Sequence, residues 1–158
     1  MEVSRAMSSQ VRIASPNQSI RDAARMMAQI DAGVLPVGDN GRLAGMITDR
    51  DIAVRAVAAG KGPDTAVREV MSNGVKYCFE DDDLDQVAQE MAEHKVRRMP
   101  VLNRQERLVG ILSLGDIALA DATESAGCAL CGISEPGGDH CQSADGHGLR
   151  MNRNGPSS

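Results

Sequence analysis

Aromatic side chains are nearly absent from the 158-residue sequence, which has no tryptophan, one tyrosine (Tyr77) and one phenylalanine (Phe79). Proteins that bind single-stranded nucleic acid without sequence preference stack the bases on aromatic rings. An excess of basic residues is also missing, because 17 lysines and arginines are outnumbered by 22 acidic residues, which gives a net charge of −5. We therefore expect neither nucleic acid nor a membrane to be a partner.

Long apolar runs are lacking as well. No stretch approaches the roughly 20 apolar residues that cross a bilayer, and residues 1–10 lack the apolar core of a signal peptide. These absences predict a cytoplasmic protein, in which thiols stay reduced. The four cysteines then indicate metal or redox chemistry before disulfides, and three of them lie near the C-terminus.

The sequence contains an internal duplication. At an offset of 64 residues, Met7-Ser8 match Met71-Ser72 and Pro36-Val37 match Pro100-Val101. After one inserted residue in the second copy the offset becomes 65, and Asp51–Ala53 match Asp116–Ala118. Matches that keep their spacing through both copies are typical of a repeat protein. We expect repeat 1 in residues 1–60, a linker with repeat 2 in residues 61–126, and a Cys/His-rich tail in residues 127–158.

Each copy has the pattern of a β-α-β-β-α unit. Ser19 and Asp83 are predicted helix N-caps, and apolar residues follow each of them at helical spacing. The predicted strands are 11–15, 34–37 and 43–47 in repeat 1 and 75–79, 99–102 and 108–112 in repeat 2. Closing helices are expected from Thr48 to about residue 59 and from Ser113 to about residue 123, and residues after Gly127 are expected to be loop or disordered. The predicted fold is α/β (α+β), with two repeats packed in pseudo-two-fold symmetry around a ligand cleft and an irregular tail.

The pattern Gly-x-x-(Thr/Ser)-x-x-Asp occurs at Gly45–Asp51 and again at Gly110–Asp116. In each copy a strand leads into a hydroxyl residue, and an aspartate follows three positions later, as in a capping box. One copy alone predicts only a helix cap. Two copies at matched positions of a repeat also indicate a ligand site, because free N–H groups at a helix start favour an anion and a carboxylate can accept hydrogen bonds from a ribose diol.

With the apolar-Pro-Val strands at Val34–Val37 and Arg98–Val101, these motifs identify a resemblance to a family. Over about residues 1–124 the chain resembles a tandem pair of CBS domains (cystathionine-β-synthase-type), called a Bateman module. It is similar to small stand-alone bacterial proteins of this kind, including the hypoxic-response type. The resemblance implies a non-catalytic regulatory module that binds AMP, ATP or NAD-type ligands and shifts conformation or assembly. It also implies a homodimer formed through the helices, acting on an unknown protein effector.

The resemblance further implies individual site residues. Asp51 and Asp116 match the ribose-binding aspartates, and Thr48 and Ser113 match the hydroxyl positions near ribose or phosphate. The adenine slots would be lined by Ile13, Ser15, Val34 and Pro36 in one site and by Tyr77, Phe79, Met99 and Pro100 in the other.

Cations for the phosphates are available near these positions. Arginine suits phosphate oxygens, and the candidates are Arg50, Arg97 and Arg98. The alternative is a solvated surface cluster in which Arg97 and Arg98 pair with Glu90 or Glu93.

The tail contains a second candidate site. Cys128-x-x-Cys131 is followed by Cys141 and His147, with His140 as a substitute ligand, and these are the side chains that a tetrahedral zinc site uses. A disordered thiol-bearing tail and a Cys-x-x-Cys redox pair remain as alternatives.

No Gly-rich phosphate loop, metalloprotease helix or nucleophile–base pair occurs in the two repeats, so we predict that the protein is not an enzyme. Besides the regulatory module, the sequence leaves open a structural or interaction protein with empty clefts and a zinc-organised tail that binds a partner.

Overall fold

The computed structural model describes residues 1–120 and 123–134. Repeat 1 contains α1 (Ile20–Ile30), β1 (Val34–Asp39), β2 (Arg42–Thr48) and α2 (Asp49–Asp51), which continues as a π-helix over Ile52–Val57. Repeat 2 contains β3 (Cys78–Phe79), α3 (Leu84–His94), β4 (Arg98–Leu102), β5 (Leu108–Ser113) and α4 (Leu114–Leu119). A further helix, α5, covers Thr123–Ser134, and short 3-10 turns occupy Val3–Arg5 and Val67–Glu69.

The first helix of each repeat begins and ends at matched residues. Ser19 Oγ accepts a hydrogen bond from the backbone N–H of Asp22 at 3.1 Å, and Asp83 Oδ2 accepts one from that of Gln86 at 3.3 Å. Both predicted N-caps are therefore confirmed. Asp31 and Lys95 cap the C-terminal ends with left-handed φ angles of 51° and 54°.

Each repeat is built on an antiparallel strand pair. Val34 of β1 lies opposite Thr48 of β2, and Arg98 of β4 lies opposite Ser113 of β5. β3 adds to β4 in parallel. Where we predicted a strand over residues 11–15, the structure has a single bridge between Ala14 and Val37. The ladder stops there because the N–H of Ser15 donates to Gln18 Oε1 at 2.7 Å and Pro16 has no N–H.

The segments that precede each repeat's first helix are exchanged between the repeats. We call residues 1–8 and 65–72 the lead segments. Val3 is fully buried in the core of repeat 2, whereas Val67 and Val70 are fully buried in the core of repeat 1. Ser8 pairs with Ile111 of β5, and Ser72 pairs with Met46 of β2. Each apolar core is thus completed by the opposite repeat.

The C-terminal helices differ from the prediction. α4 ends at Leu119 instead of continuing to about residue 123, and α5 is helical through Ser134 where we expected loop after Gly127. α5 packs on α3 and α4 through the buried small residues Ala126 and Ala129. Such residues give no strong hydrophobic period in the sequence, which is why the helix was missed. No helix in the described part of the chain is long and apolar enough to span a membrane.

Candidate functional site

Both Gly-x-x-(Thr/Ser)-x-x-Asp motifs form complete capping boxes. The backbone N–H of Thr48 donates to Asp51 Oδ2 at 3.0 Å, while that of Asp51 donates to Thr48 Oγ1 at 3.0 Å. The corresponding distances between Ser113 and Asp116 are 2.8 and 3.0 Å. All four residues are half-buried. Within the described residues, the second carboxylate oxygen of each aspartate accepts no hydrogen bond from the protein.

The glycine that opens each motif lies against the lead segment of the other repeat. A side-chain carbon at Gly110 would lie 2.7 Å from Met7 Sδ and 2.8 Å from the Ser8 carbonyl oxygen, and one at Gly45 would overlap the Ser72 carbonyl oxygen. Only glycine allows these approaches. The two motifs are therefore located at two equivalent junctions between the repeats.

The first junction contains a cavity of about 320 Å³ that opens between the repeats. Residues at the start of β2 and in the segment that leads into β3 line this cavity, and Tyr77 is one of them. Arg42 and Glu106 face each other across it at 3.2 Å, which links repeat 1 to the β4–β5 turn of repeat 2. Gly45 lines the cavity but Thr48 and Asp51 do not. Sequence reasoning missed Arg42 and Glu106; the available signal was that Arg42 and Arg107 occupy matched positions of the repeat.

The structure places several of the residues predicted to line the adenine slots near one another. Ile13 and Ser15 flank Ala14, whose N–H donates to the Pro36 carbonyl at 2.9 Å, and Val34 lies beside Thr48. In repeat 2, Tyr77 and Phe79 flank Cys78, whose thiol reaches the Pro100 carbonyl at 3.9 Å. The residues brought together in this way are Ile13, Ser15, Val34 and Pro36 in repeat 1 and Tyr77, Phe79 and Pro100 in repeat 2.

Exposure separates the slot residues into two groups. Ile13 and Tyr77 occupy matched positions and are 41% and 46% exposed. Met99, in contrast, is 1% exposed in the core of repeat 2, so it cannot line an open slot. The pleat of β4 turns Met99 inward and Arg98 outward.

Phe79 is already covered on one face. The Arg104 guanidinium carbon lies 4.2 Å from the centre of the Phe79 ring, and Tyr77 meets the same ring edge-on at 5.7 Å. Asp81 holds Arg104 at 2.8 Å, and this guanidinium keeps the pKa of the Asp81 carboxyl below its usual value. Tyr77 is therefore the aromatic side chain that remains open to a ligand.

The charged residues around the two motifs differ. Strand register places Arg98 beside Ser113, and the Arg97 carbonyl accepts the N–H of Leu114 at 3.0 Å. In repeat 1 the residue in the position of Arg98 is Val34, and Asp49 replaces Leu114. Within the described residues, Arg97, Arg98 and Arg50 form no ion pair with Glu90, Glu93 or any other carboxylate. The motif of repeat 2 therefore has two unpaired arginines beside it, whereas the motif of repeat 1 has one, Arg50, which directly follows the carboxylate of Asp49.

The tail residues are only partly within the described region. Cys128 and Cys131 lie on α5, and both are exposed free thiols. Cys141, His147 and His140 lie outside the described residues. Among residues 1–120 and 123–134, no group of three or more metal-ligating side chains is gathered.

Comparison with known proteins identifies the family. The CBS domain family model matches residues 3–57 and 67–122, so the chain belongs to the CBS domain family and contains two such domains.

Similar proteins share the whole pair. The CBS domain-containing protein YhcV of Bacillus subtilis is 46% identical over 129 residues, which are 81% of this chain and 91% of that protein. The structure of Hypoxic Response Protein I, which has two coordinated zinc ions, superposes with a TM-score of 0.69 at 36% identity over 75% of this chain and 98% of the other. The CBS domain pair of protein MJ0100, solved with 5-methylthioadenosine and S-adenosyl-L-methionine, gives a TM-score of 0.68 at 32% identity over 76% and 98%.

Proposed function

We propose that this protein is a non-catalytic regulatory module that binds adenine nucleotides at the junctions between its two CBS domains. Its support is the pair of half-buried aspartates, Asp51 and Asp116, each of which uses one carboxylate oxygen to cap a helix and leaves the other open. A ribose diol can donate to such an oxygen. The exposed apolar side chains at Ile13 and Tyr77 give each junction a surface for an adenine ring, and the adenosyl ligands of the MJ0100 pair are consistent with this ligand class.

We further propose that phosphate-bearing ligands such as AMP, ATP or NAD bind at the motif of repeat 2. The observation that carries this proposal is the register of the strands, which places Arg98 beside Ser113 but Val34 beside Thr48. Asp49 adds negative charge beside the first motif, and its carboxylate lies against Gly33. In the first motif the charge of Asp49 offsets that of the neighbouring Arg50, so we assign this motif an adenosine group without phosphate.

Calorimetric titration with AMP and with adenosine tests both assignments. Asp51→Asn and Asp116→Asn keep an oxygen for the helix cap, but their amide nitrogen cannot accept a hydrogen bond from ribose. We expect Asp116→Asn to abolish the AMP binding event and Asp51→Asn to leave it in place. Arg98→Val, which copies Val34, should weaken AMP binding about 10- to 100-fold, the value of one or two hydrogen bonds to a charged group.

Adenosine is the control ligand, because it keeps the ribose and the base but has no phosphate. Its affinity should not change in Arg98→Val. AMP titrations that are unchanged in both Asp→Asn variants would refute nucleotide binding at the motifs. AMP binding that is lost in Asp116→Asn but intact in Arg98→Val would refute only the phosphate assignment.

A homodimer is the assembly that we propose for this module. Ala24 and Ala28 of α1 are exposed and line an apolar groove of about 420 Å³ together with Val57, which is 68% exposed. At the matched positions of repeat 2, Ala88 is 1% exposed and Ala92 is half-buried, because α5 covers them.

Charge supports a second copy as the occupant of this face. Antiparallel pairing of two α1 helices, centred between Ala24 and Ala28, sets Arg21 opposite Asp31 of the second copy. Arg21 forms an ion pair of 3.0 Å with Asp64 in the single chain, and in the dimer we expect it to pair with Asp31 as well, so that two such pairs flank the apolar contact. Ligand binding that changes the angle between the repeats would then be transmitted to the dimer and to a protein effector.

A further inference from the structure

The helix α5 covers a face of repeat 2 whose counterpart in repeat 1 is open. Ala24 and Ala28 of α1 are exposed. At the matched positions of α3, Ala88 is 1% exposed and Ala92 is half-buried. A side-chain carbon at Gly132 would lie 3.0 Å from Ala92 Cβ and 3.2 Å from the Ala92 carbonyl oxygen, so α5 packs closely on α3. The fold therefore contains two equivalent faces, and the chain itself occupies one of them.

The helices that follow the two motifs show the same difference. Ile52 of repeat 1 is half-buried and lines the apolar groove beside α1. Its counterpart on α4, Ile117, is fully buried. Since α5 packs against both α3 and α4, it lies in repeat 2 where the open groove lies in repeat 1.

The residues that α5 brings to this face resemble those that a second copy would bring to repeat 1. Ala126 and Ala129 are 6% and 0% exposed, and the half-buried Ile133 continues their face at helical spacing. Small residues at such a contact let two helix axes come close together. In the dimer proposed above, the second copy presents Ala24 and Ala28 of its own α1. The contact made by α5 on repeat 2 is thus of the same kind as the contact between copies on repeat 1.

The charged residues of α3 indicate what would bind this face if α5 did not cover it. Antiparallel pairing of two α3 helices, in the register proposed for α1, sets Asp85 opposite Lys95 of the second copy. These residues occupy the positions of Arg21 and Asp31 in repeat 1, with both charges reversed. Antiparallel pairing of α3 with α1 would therefore bring like charges together, which opposes association. The uncovered face of repeat 2 fits the α3 helix of a second copy.

We propose that α5 is an intramolecular cap, which covers the α3–α4 face of repeat 2 and restricts contacts between copies to repeat 1. The proposal rests on the homodimer proposed above and explains why only one of the two equivalent faces is used. With both faces open, each chain would be able to bind one copy through repeat 1 and another through repeat 2, so association would not have to end at two chains. The cap limits it to a dimer.

The test combines two substitutions in the full chain. Val57→Glu puts a charge on the open face of repeat 1 and should give a monomer of 16.7 kDa. Addition of Gly132→Val should detach α5 and restore a dimer, now formed through repeat 2. Sedimentation equilibrium measures the mass, and hydrogen exchange of the α5 amides shows that the helix is detached. If Gly132→Val leaves α5 protected, Ala129→Glu replaces it, because a buried unpaired charge breaks the contact.

Ala92→Glu is the matched control in the same Val57→Glu background. It changes the residue that Gly132 contacts, so it should also detach α5, but it leaves a charge on the uncovered face. This double variant should stay monomeric, whereas non-specific aggregation would raise the mass of both double variants. A chain with Val57→Glu and Gly132→Val that is monomeric although its α5 amides are unprotected would overturn the cap. Equal association of the two double variants would overturn it as well.

The test separates failure of the cap from failure of the repeat 1 dimer. Its readout is the gain in mass when Gly132→Val is added to Val57→Glu, whatever mass the Val57→Glu chain has. A monomeric unmodified chain would refute the homodimer proposed above, and the same gain in mass would still decide whether α5 is a cap.

Discussion

Gly45 and Gly110 show how single residues hold the two repeats in contact. Each glycine begins a Gly-x-x-(Thr/Ser)-x-x-Asp motif and lies against the lead segment of the other repeat. Next to Gly45, Met46 exchanges backbone hydrogen bonds of 2.8 and 3.1 Å with Ser72, and next to Gly110, Ile111 exchanges two of 3.0 Å with Ser8. The sequence identified these glycines as part of a motif. Their role in the junction depends on contacts with a distant backbone segment, which for Gly45 is more than 25 residues away in the chain. Neighbouring residues in the sequence therefore could not predict it.

Gly110→Ala should destabilise the fold by about 1–3 kcal/mol, the usual cost of overpacking, because the new methyl group meets the Ser8 carbonyl oxygen and Met7 Sδ. Urea unfolding measures the loss. Gly115→Ala is the control in the same motif, since its methyl group would lie 3.6 Å from Ser113 Oγ, an ordinary contact. Equal midpoints for the two variants would contradict the close approach at Gly110.

Cys78 is the cysteine for which we expect no reactivity in the folded protein. Burial raises the pKa of its thiol from 9.0 to about 12, and the carboxylates of Asp82 and Glu90 act in the same direction. The neutral thiol therefore stabilises the fold below about pH 9, and this contribution is lost as the pH rises towards 12. Near neutral pH, iodoacetamide should alkylate Cys128 and Cys131 in the native chain and reach Cys78 only after denaturation. Equal labelling of all three would show that Cys78 is accessible.

At the scale of helices and strands, features that depend on residues close together in the sequence could be predicted, whereas features that depend on tertiary contacts could not. The N-caps at Ser19 and Asp83 and both capping boxes were predictable, because a cap depends on residues three positions apart. The strand at 11–15 was overestimated, because the sequence does not reveal that the side chain of Gln18 takes the N–H of Ser15. Met99 was predicted to line an adenine slot but its side chain is buried in the core of repeat 2, and the sequence gives no sign of this because the residues that follow Arg98 in β4 are all apolar.

α5 is the element whose packing can be tested most directly. Gly132→Val places branched carbons against Ala92 and should detach α5, so that its amide hydrogens lose protection from exchange. Gly127→Ala is the control on the same helix, because a carbon there meets nothing within 4 Å and alanine raises helix propensity by up to about 1 kcal/mol. Retained protection of α5 in Gly132→Val would mean that the helix does not depend on this contact.

At the scale of the whole molecule, the two repeats differ in how much apolar surface their helices expose, because α5 covers in repeat 2 the face that is open in repeat 1. Val57→Glu introduces a charge into the exposed apolar face of repeat 1 and should convert the proposed dimer into monomers in sedimentation equilibrium, because a buried unpaired charge opposes association. Leu130→Glu makes the same change on the outer face of α5 and should leave the dimer intact. Dissociation by Leu130→Glu, or persistence of the dimer in Val57→Glu, would place the interface elsewhere.

The exchanged lead segments have a consequence for any shorter version of this fold. In a chain with a single repeat, the lead segment would place its valine outside the chain's own hydrophobic core and leave a cavity there. Such a chain would fill its core only by exchanging lead segments with a second copy, as a domain-swapped dimer. Joining two units on one polypeptide replaces that encounter between molecules with an intramolecular one, at an effective concentration in the millimolar range for a short tether. The integrity of the pair is thereby made independent of how much protein the cell contains.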